Sequence, residues 1–256
     1  MLDNFAFADP WAIAAAVIAV IVLGLAKGGL GGVGMLVVPV MALVIPPVQA
    51  AAIVLPLLIV SDAISVWAWR GSWDKRTLLL MLPGAMIGIG IGWLTAALVS
   101  DAAVRLIVGG IAVAFVLRWL VQTAAQRATA RPQHAGKASF WGAVAGYTSF
   151  VAHAGGPPYQ VYAMPLGQDA RTYTGTNVAF FAIVNLVKLV PYFALGQFDS
   201  ANLTTSAVLA PLAIVATLAG AAIIRRMSTE TFYRITYGLA FVLGLKLIWD
   251  GVQGLI

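Results

Sequence analysis

Long apolar stretches alternate along the chain with short polar connections. The apolar stretches occupy residues 11–26, 35–45, 48–69, 77–98, 103–121, 138–154, 157–166, 174–196, 203–224 and 232–249. A helix of about 20 apolar residues crosses the ~30 Å hydrocarbon core of a bilayer. The pattern therefore predicts an all-α integral membrane protein.

Two of the stretches, 35–45 and 157–166, are too short to cross a bilayer. Ten residues of α-helix rise only about 15 Å. Each short stretch follows a glycine pair and is flanked by prolines. Irregular backbone inside a membrane survives where it is buried in protein or lines a cavity. We therefore expect glycine- and proline-broken helices, or re-entrant hairpins, near the midplane.

The two halves of the chain carry the same features in the same order. A shift of about 127 residues aligns Gly28 and Gly29 with Gly155 and Gly156, Pro39 with Pro165 to within one residue, Pro83 with Pro211, and RGSWD (70–74) with LGQFD (195–199). We interpret residues 1–128 and 129–256 as two repeats of about five hydrophobic segments each. They form one transporter domain and are joined by a linker at 122–137.

Basic residues concentrate in three of the connections. These are Arg70, Lys75 and Arg76; Arg118, Arg127, Arg131 and Lys137; and Arg225, Arg226 and Arg234. Cytoplasmic loops of membrane proteins carry an excess of Lys and Arg. The linker is therefore expected in the cytoplasm and both termini in the periplasm. The halves then enter the membrane from opposite sides, as inverted repeats of secondary transporters do.

Composition narrows the class further. The chain is 61% hydrophobic and 9% charged, whereas an ordinary soluble domain is about 25% charged. It has no cysteine and two histidines, which argues against thiolate chemistry and a histidine metal cluster, so we expect no cofactor and no metal. We find no HExxH, no Ser–His–Asp set and no carboxylate pair at catalytic spacing, so an enzyme is not expected. The net charge of +6 fits basic loops and does not require a nucleic-acid partner.

The glycine run around Lys27 has two interpretations. GLGGVG (29–34) has the form of a dinucleotide fingerprint, but its flanks are membrane spans and Gln49 stands where an acid is required. The run either packs helices closely through small residues or breaks a helix and exposes N–H groups to a cavity. Residues 24–34 contain six glycines, and the other half has a matching glycine pair. Both observations favour a broken helix that exposes N–H groups to a cavity.

Lys27 is the only charge between Asp9 and Asp62. A charge inside a span costs roughly 2.5–3.5 kcal/mol on insertion scales and indicates a functional site. The alternative is a side chain that reaches the membrane interface.

Asp62, the only acid in 48–69, is the candidate proton-coupling residue. It lies within one residue of Lys188 in the repeat alignment, which suggests a buried pair.

The second half supplies further polar groups inside apolar sequence. His153 aligns near Lys27, although a lone histidine is more often structural. Asn177, Asn185 and Lys188 follow helical spacing and can share one face. Cations and helix N-termini at the breaks favour an anion. The candidate substrate-binding residues are Lys27, Gly28, Gly29, Gly31, Gly32, His153, Gly155, Gly156, Pro157, Tyr159, Gln160, Thr174, Thr176, Asn177, Asn185 and Lys188.

Several of these motifs resemble those of the TauE/SafE sulfite exporter family, also called the 4-toluene sulfonate uptake permease group. They are GGLGGVGMLVVPVMAL (28–43), PPVQAAAIV (46–54), GGPPYQVYAMPLG (155–167) and RTYTGTNVAFF (171–181). The resemblance covers nearly the whole chain. It implies a multi-pass transporter of the bacterial inner membrane for sulfite or organosulfonates, usually exporting and coupled to the proton motive force. Many members carry a small residue at the position of Lys27, so its role rests on the physical argument alone.

The expected function is secondary transport, by alternating access, of a small sulfur-containing anion such as sulfite or an organosulfonate. Export is the expected direction. An anion channel of the same fold and an uptake permease for another small organic anion are the alternatives. The expected partners are the anion, the lipid bilayer and protons as the coupling ion.

Overall fold

The computed structural model describes residues 10–29, 33–41, 44–45, 47–95, 98, 100–121 and 130–255. The α-helices in these ranges are α1 (Pro10–Gly28), α2 (Val37–Met41), α3 (Pro47–Ala68), α4 (Lys75–Thr95), α5 (Asp101–Leu120), α6 (Ala135–Ala152), α7 (Gly156–Ala163), α8 (Ala170–Ala194), α9 (Ser200–Arg225) and α10 (Thr229–Gln253). Short 3₁₀ segments, Val33–Leu36 and Met164–Leu166, precede α2 and follow α7. The described residues contain no strand, so the predicted all-α fold is confirmed.

Six of these helices are long and apolar enough to cross a membrane. They are α1, α3, α4, α8, α9 and α10. Many large apolar side chains remain on the outer surface, for example Leu79 at 73% and Phe193 at 77% exposure. Contact of so many apolar side chains with water is unfavourable, whereas contact with the hydrocarbon chains of a bilayer is not. The protein is therefore a multi-pass membrane protein, as predicted.

Polar residues in the connections start four of the helices. Ser100, Asp169, Asp199 and Ser228 precede α5, α8, α9 and α10, and each side chain accepts a hydrogen bond from a backbone N–H of the first turn. Such capping satisfies donors that have no partner inside the helix. These polar residues therefore fix where α5, α8, α9 and α10 begin.

Helix breaks occur at both predicted glycine pairs. α1 ends at Gly28, and Gly29 has φ +148°. α6 ends at Ala152, and His153 takes the left-handed conformation with φ +50° before α7 starts at Gly156. A positive φ is uncommon for a residue with a side chain. The two breaks lie between a long helix and a short one in each half.

Each long helix of one half packs on a helix of the other half. α1 packs on α9 and α4 on α6, while α3 packs on α8 and α5 on α10. The first and fourth helices of each half thus exchange partners, and the third and fifth pair with their counterparts. Two repeats related by a two-fold axis, as the sequence predicts, would give this set of pairs.

Glycines allow two of these pairs to approach closely. A Cβ atom on Gly88 of α4 would lie 2.0 Å from the carbonyl oxygen of Ala143 in α6. A Cβ atom on Gly24 of α1 would lie 2.3 Å from Cβ of Ala216 in α9, and one on Gly28 would lie 2.5 Å from Gly220. Small-residue packing, the first interpretation of the glycine run, is therefore correct for Gly24 and Gly28.

The basic connections meet at one end of the helix bundle. The Arg131 backbone N–H donates to the Pro165 carbonyl at 2.9 Å. The side-chain amides of Gln133 and Gln168 both donate to the Asp74 carboxylate. The connections after α3, before α6 and after α7 therefore share this end, which the charge pattern predicts to be cytoplasmic.

Candidate functional site

A cavity of about 70 Å³ lies where the two breaks meet. Its polar and aromatic lining consists of Lys27, Ser149, His153, Asn177, Phe181, Asn185 and Lys188. Gly155 and Gly156 also line it, and its apolar lining includes Val37, Val38, Val54 and Leu58. A cavity needs about 10–15 Å³ to hold one water molecule. The space therefore accommodates a few waters or one small ion, between the ends of α1 and α6, the start of α7, and α8.

Lys188 is the central cation of this cavity and is 0% exposed. Its Nζ lies 2.8 Å from the Ser149 carbonyl oxygen and 2.8 Å from His153 Nδ1. The Ser149 carbonyl is available because α6 ends three residues later, and the last carbonyls of a helix lack helical partners. Within the described residues no carboxylate contacts Lys188.

Lys27 pairs with Asp62. Lys27 Nζ lies 2.6 Å from Asp62 Oδ1, and the two side chains are 13% and 4% exposed. The Asn185 side-chain amide donates to Asp62 Oδ2 at 2.7 Å. The predicted pair of Asp62 with Lys188 is therefore wrong in its partner, because Asp62 uses both oxygens for Lys27 and Asn185.

Two further contacts hold Lys27 at the cavity. The Ser65 hydroxyl donates to the Lys27 carbonyl at 2.8 Å, which joins the end of α1 to α3. The Lys27 ammonium lies 5.8 Å from the centre of the Phe181 ring, within the range of a cation–π attraction. Lys27 thus stays inside the protein and does not extend to the membrane interface.

The charges of the cavity do not cancel. Lys27 and Asp62 compensate each other, whereas Lys188 has only neutral partners among the described residues. Burial of a charge without a counter-charge is unfavourable. An anion in the cavity would supply that counter-charge, and Asn177 would add a neutral donor beside it.

The predicted site residues fall into three groups. Lys27, His153, Gly155, Gly156, Asn177, Asn185 and Lys188 line the cavity. Gly28, Gly29, Pro157, Tyr159, Gln160, Thr174 and Thr176 are absent from its lining. Gly31 and Gly32 lie outside the described residues.

The residues away from the cavity make packing and hydrogen-bond contacts. The Gly28 carbonyl accepts from Trp69 Nε1 at 3.1 Å. The Thr176 hydroxyl accepts from the Asp74 N–H at 2.8 Å and donates to the Thr172 carbonyl at 2.7 Å. Tyr159 packs on the ring of Phe180 with centroids 5.1 Å apart. These contacts assemble the wall behind the cavity.

Besides small and aliphatic residues, the cavity is lined by one polar and one aromatic residue, Ser149 and Phe181, that the sequence did not lead us to expect. Ser149 lies four residues before His153, so helical periodicity places both on one face of α6. Phe181 lies four residues after Asn177 on α8 and belongs to the same face. The four-residue spacing could have identified both residues. A serine or a phenylalanine is common inside apolar sequence, however, and neither by itself indicates a binding site.

A helical membrane bundle with two broken helices that meet at a charged cavity is the arrangement of secondary transporters. The family model described as sulfite exporter TauE/SafE matches residues 16–247. The chain therefore belongs to the TauE/SafE sulfite exporter family, which comprises transporters and not enzymes, as expected from the sequence. Comparisons with curated proteins and with solved structures give no match.

Proposed function

We propose that the cavity binds a small sulfur-containing anion, such as sulfite or an organosulfonate, and that the protein exports it across the bacterial inner membrane by alternating access. The single observation that carries this proposal is Lys188, a fully buried cation with only neutral contacts in the described part of the chain. The anion supplies the charge that the site lacks.

The donors around the cavity suit the oxygen atoms of such an anion. The Lys188 ammonium donates charge-assisted hydrogen bonds, which are roughly twice as strong as neutral ones. The Asn177 amide supplies a neutral donor on the same wall. α7 starts at Gly156 without a side-chain cap. Pro157 and Pro158 carry no N–H, so the attraction from this helix comes from the Gly156 N–H and from the positive end of the helix dipole.

The two halves are proposed to move against each other as inverted repeats. The helix pairs α1 with α9, α4 with α6, α3 with α8 and α5 with α10 support this interpretation. Cavity residues come from both halves, with Lys27 in the first and Lys188 in the second. A rocking of one half against the other would open the site to either side in turn.

The membrane potential can drive the export. Moving one negative charge outward, down an inside-negative potential of 100 mV, releases about 2.3 kcal/mol. This holds while Asp62 stays ionised and bound to Lys27. The anion then leaves without a proton, and transport is electrogenic.

Proton-linked uptake is the second candidate, and the contact between Lys27 and Asp62 favours it. A proton on Asp62 would remove the negative charge and free Lys27, 2.6 Å away, for the anion. Proton and anion would then favour each other's binding, because linkage is reciprocal. Asp62 would be the coupling residue, and an inward proton gradient would drive the anion into the cell.

Flux of labelled sulfite and methanesulfonate in proteoliposomes tests the proposal. We expect saturable flux that a potassium–valinomycin potential drives against the anion gradient, and that Lys188→Met abolishes. Lys246→Met is the matched control, since Lys246 pairs with Asp250 in α10 away from the cavity. Dependence on a pH gradient alone would select uptake, and flux that neither saturates nor runs uphill would select a channel. Normal flux in Lys188→Met would refute the site.

A further inference from the structure

A second cavity, of about 450 Å³, lies at the end of the bundle where the basic connections meet. It is formed by the end of α3, the start of α8, the end of α9 and the start of α10. Three arginines line it: Arg70, Arg171 and Arg225. We call this cavity the arginine vestibule.

Each guanidinium group makes one hydrogen bond within the described residues. Arg70 donates to the Trp67 carbonyl at 3.2 Å and Arg171 to the Ser72 hydroxyl at 3.1 Å, while Arg225 donates to the Ala68 carbonyl. A guanidinium carries five N–H donors in a planar fork. Most of these donors therefore remain available to a ligand in the vestibule.

Among the described residues that line the vestibule, the one acid is Asp169, and its carboxylate is hydrogen-bonded to the first turn of α8. Asp169 accepts from the Arg171 and Thr172 backbone N–H groups at 3.0 and 3.1 Å, and from the Thr172 hydroxyl at 2.6 Å. The hydrogen bond from the Thr172 hydroxyl has the largest effect on the Asp169 carboxyl, and together with the backbone bonds it holds the pKa of Asp169 below its ordinary value. The carboxylate thus caps α8 and makes no ion pair with the three arginines in the described part of the chain.

One aromatic residue connects the vestibule with the substrate cavity. Trp69 lines the vestibule, and the Arg225 guanidinium lies 5.3 Å from its ring centre. Its indole N–H donates to the carbonyl of Gly28 at 3.1 Å. Gly28 follows Lys27, which lines the substrate cavity. Trp69 and Gly28 therefore link the lining of the vestibule to the lining of the substrate cavity.

We propose that the arginine vestibule is a second anion site, which captures a small oxoanion before it passes Trp69 into the substrate cavity. This inference rests on the proposed function. Guanidinium forks match oxyanions that present two or more oxygen atoms, such as sulfite, sulfonates and sulfate. A concave surface with uncompensated positive charge also raises the local anion concentration and the rate of capture.

Calorimetric titration with methanesulfonate tests the inference on the full chain in phosphatidylcholine nanodiscs. Wild type should bind in two steps. The double variant Arg171→Gln with Arg225→Gln should weaken one step roughly tenfold, with the other unchanged. Arg226→Gln is the matched control, because Arg226 is the next residue along the chain and does not line the vestibule. Lys188→Met should remove only the other step, so failure of the vestibule and failure of the proposed function are distinguishable.

Two further experiments distinguish the effect of positive charge from that of the guanidinium geometry, and anion binding from lipid binding. Arg225→Lys keeps the positive charge but loses the guanidinium fork, so it should retain more affinity than Arg225→Gln and less than wild type. The midpoint of thermal unfolding shows whether each variant is folded. The inference is wrong if the double variant binds like Arg226→Gln. It is also wrong if phosphatidylglycerol nanodiscs abolish the vestibule step, because the arginines would then hold lipid headgroups.

Discussion

The side-chain amide of Asn185 donates to the Asp62 carboxylate at 2.7 Å, across 123 residues of sequence. The same side chain offers its oxygen to Lys188 Nζ at 3.4 Å. Its orientation is thereby fixed, with the nitrogen toward the acid and the oxygen toward the cation. One chain of contacts thus joins Lys27, Asp62, Asn185 and Lys188, so a change in either half of the protein reaches the cation of the other half.

The pair of Lys27 and Asp62 predicts a rescue between two substitutions. Lys27→Met leaves the Asp62 carboxylate buried without its cation and should destabilise the protein by about 3–5 kcal/mol. The double variant Lys27→Met with Asp62→Asn removes both charges and should recover much of that loss. Thermal unfolding midpoints of purified protein in one detergent measure the effect.

Independent effects of the two substitutions would contradict the pairing. A double-mutant cycle isolates the interaction when each single change removes only that contact. Lys246→Met again serves as the control, because Lys246 is 53% exposed and pairs within its own helix with Asp250. Its removal should change the midpoint little, since exposed pairs contribute about 0–1 kcal/mol.

Two glycines of α4 should respond to alanine with opposite sign. A Cβ on Gly88 would lie 2.0 Å from the Ala143 carbonyl oxygen, a backbone atom that cannot move aside, whereas a Cβ on Gly90 meets nothing within 4 Å. Gly88→Ala should destabilise by about 1–3 kcal/mol through overpacking. Gly90→Ala should be neutral or stabilise by up to about 1 kcal/mol, because alanine is the better helix former. Equal shifts of the unfolding midpoint would rule out the close contact of α4 with α6.

The spans and the breaks could be predicted from the sequence because local composition determines them. Apolar length fixes α3 and α4 to within a few residues, and the glycines at 28 and 155 end or start helices in the structure as expected. Part of the lining of the cavity was predictable for the same reason. Lys27, His153 and Lys188 are polar groups inside apolar sequence, and such groups face protein or a cavity.

The choice of partners was not predictable, because it depends on packing across the bundle. Asp62 and Lys188 occupy matching positions in the repeat alignment, yet matching positions of two repeats need not touch. Lys27 approaches Asp62 instead, since the end of α1 packs beside α3. Nor could the sequence predict that the Thr176 hydroxyl accepts a hydrogen bond from the Asp74 N–H and does not line the cavity.

The orientation in the membrane remains a prediction that cysteine labelling can check. The native chain has no cysteine, so single cysteines report one site each. Lys137→Cys lies at the end where the basic connections meet, and Leu195→Cys lies at the other end of α8. An impermeant maleimide added to intact cells should label Leu195→Cys and spare Lys137→Cys. The reverse pattern would place the basic connections in the periplasm.

Asp74 joins the two halves at the basic end, and we expect its loss to open this end. Its carboxylate accepts hydrogen bonds from Gln133, Gln168 and Thr77. Its backbone N–H donates to Thr176 of α8 at 2.8 Å. A passage from this end into the cavity requires the halves to part here. Asp74→Ala removes the carboxylate bonds and should shift the population toward the open form.

The reactivity of a cysteine inside the cavity measures this opening. In a Phe181→Cys background, Asp74→Ala should raise the rate of maleimide modification of the purified protein severalfold. Asp199→Ala is the matched control, because Asp199 aligns with Asp74 in the repeat and also caps a helix. In the part of the chain that the structure describes, its carboxylate binds only Asn202, three residues on. Both substitutions remove a helix cap at a similar expense of about 1 kcal/mol. If the two variants react at the same rate, Asp74 acts as a cap alone and the junction does not control access to the cavity.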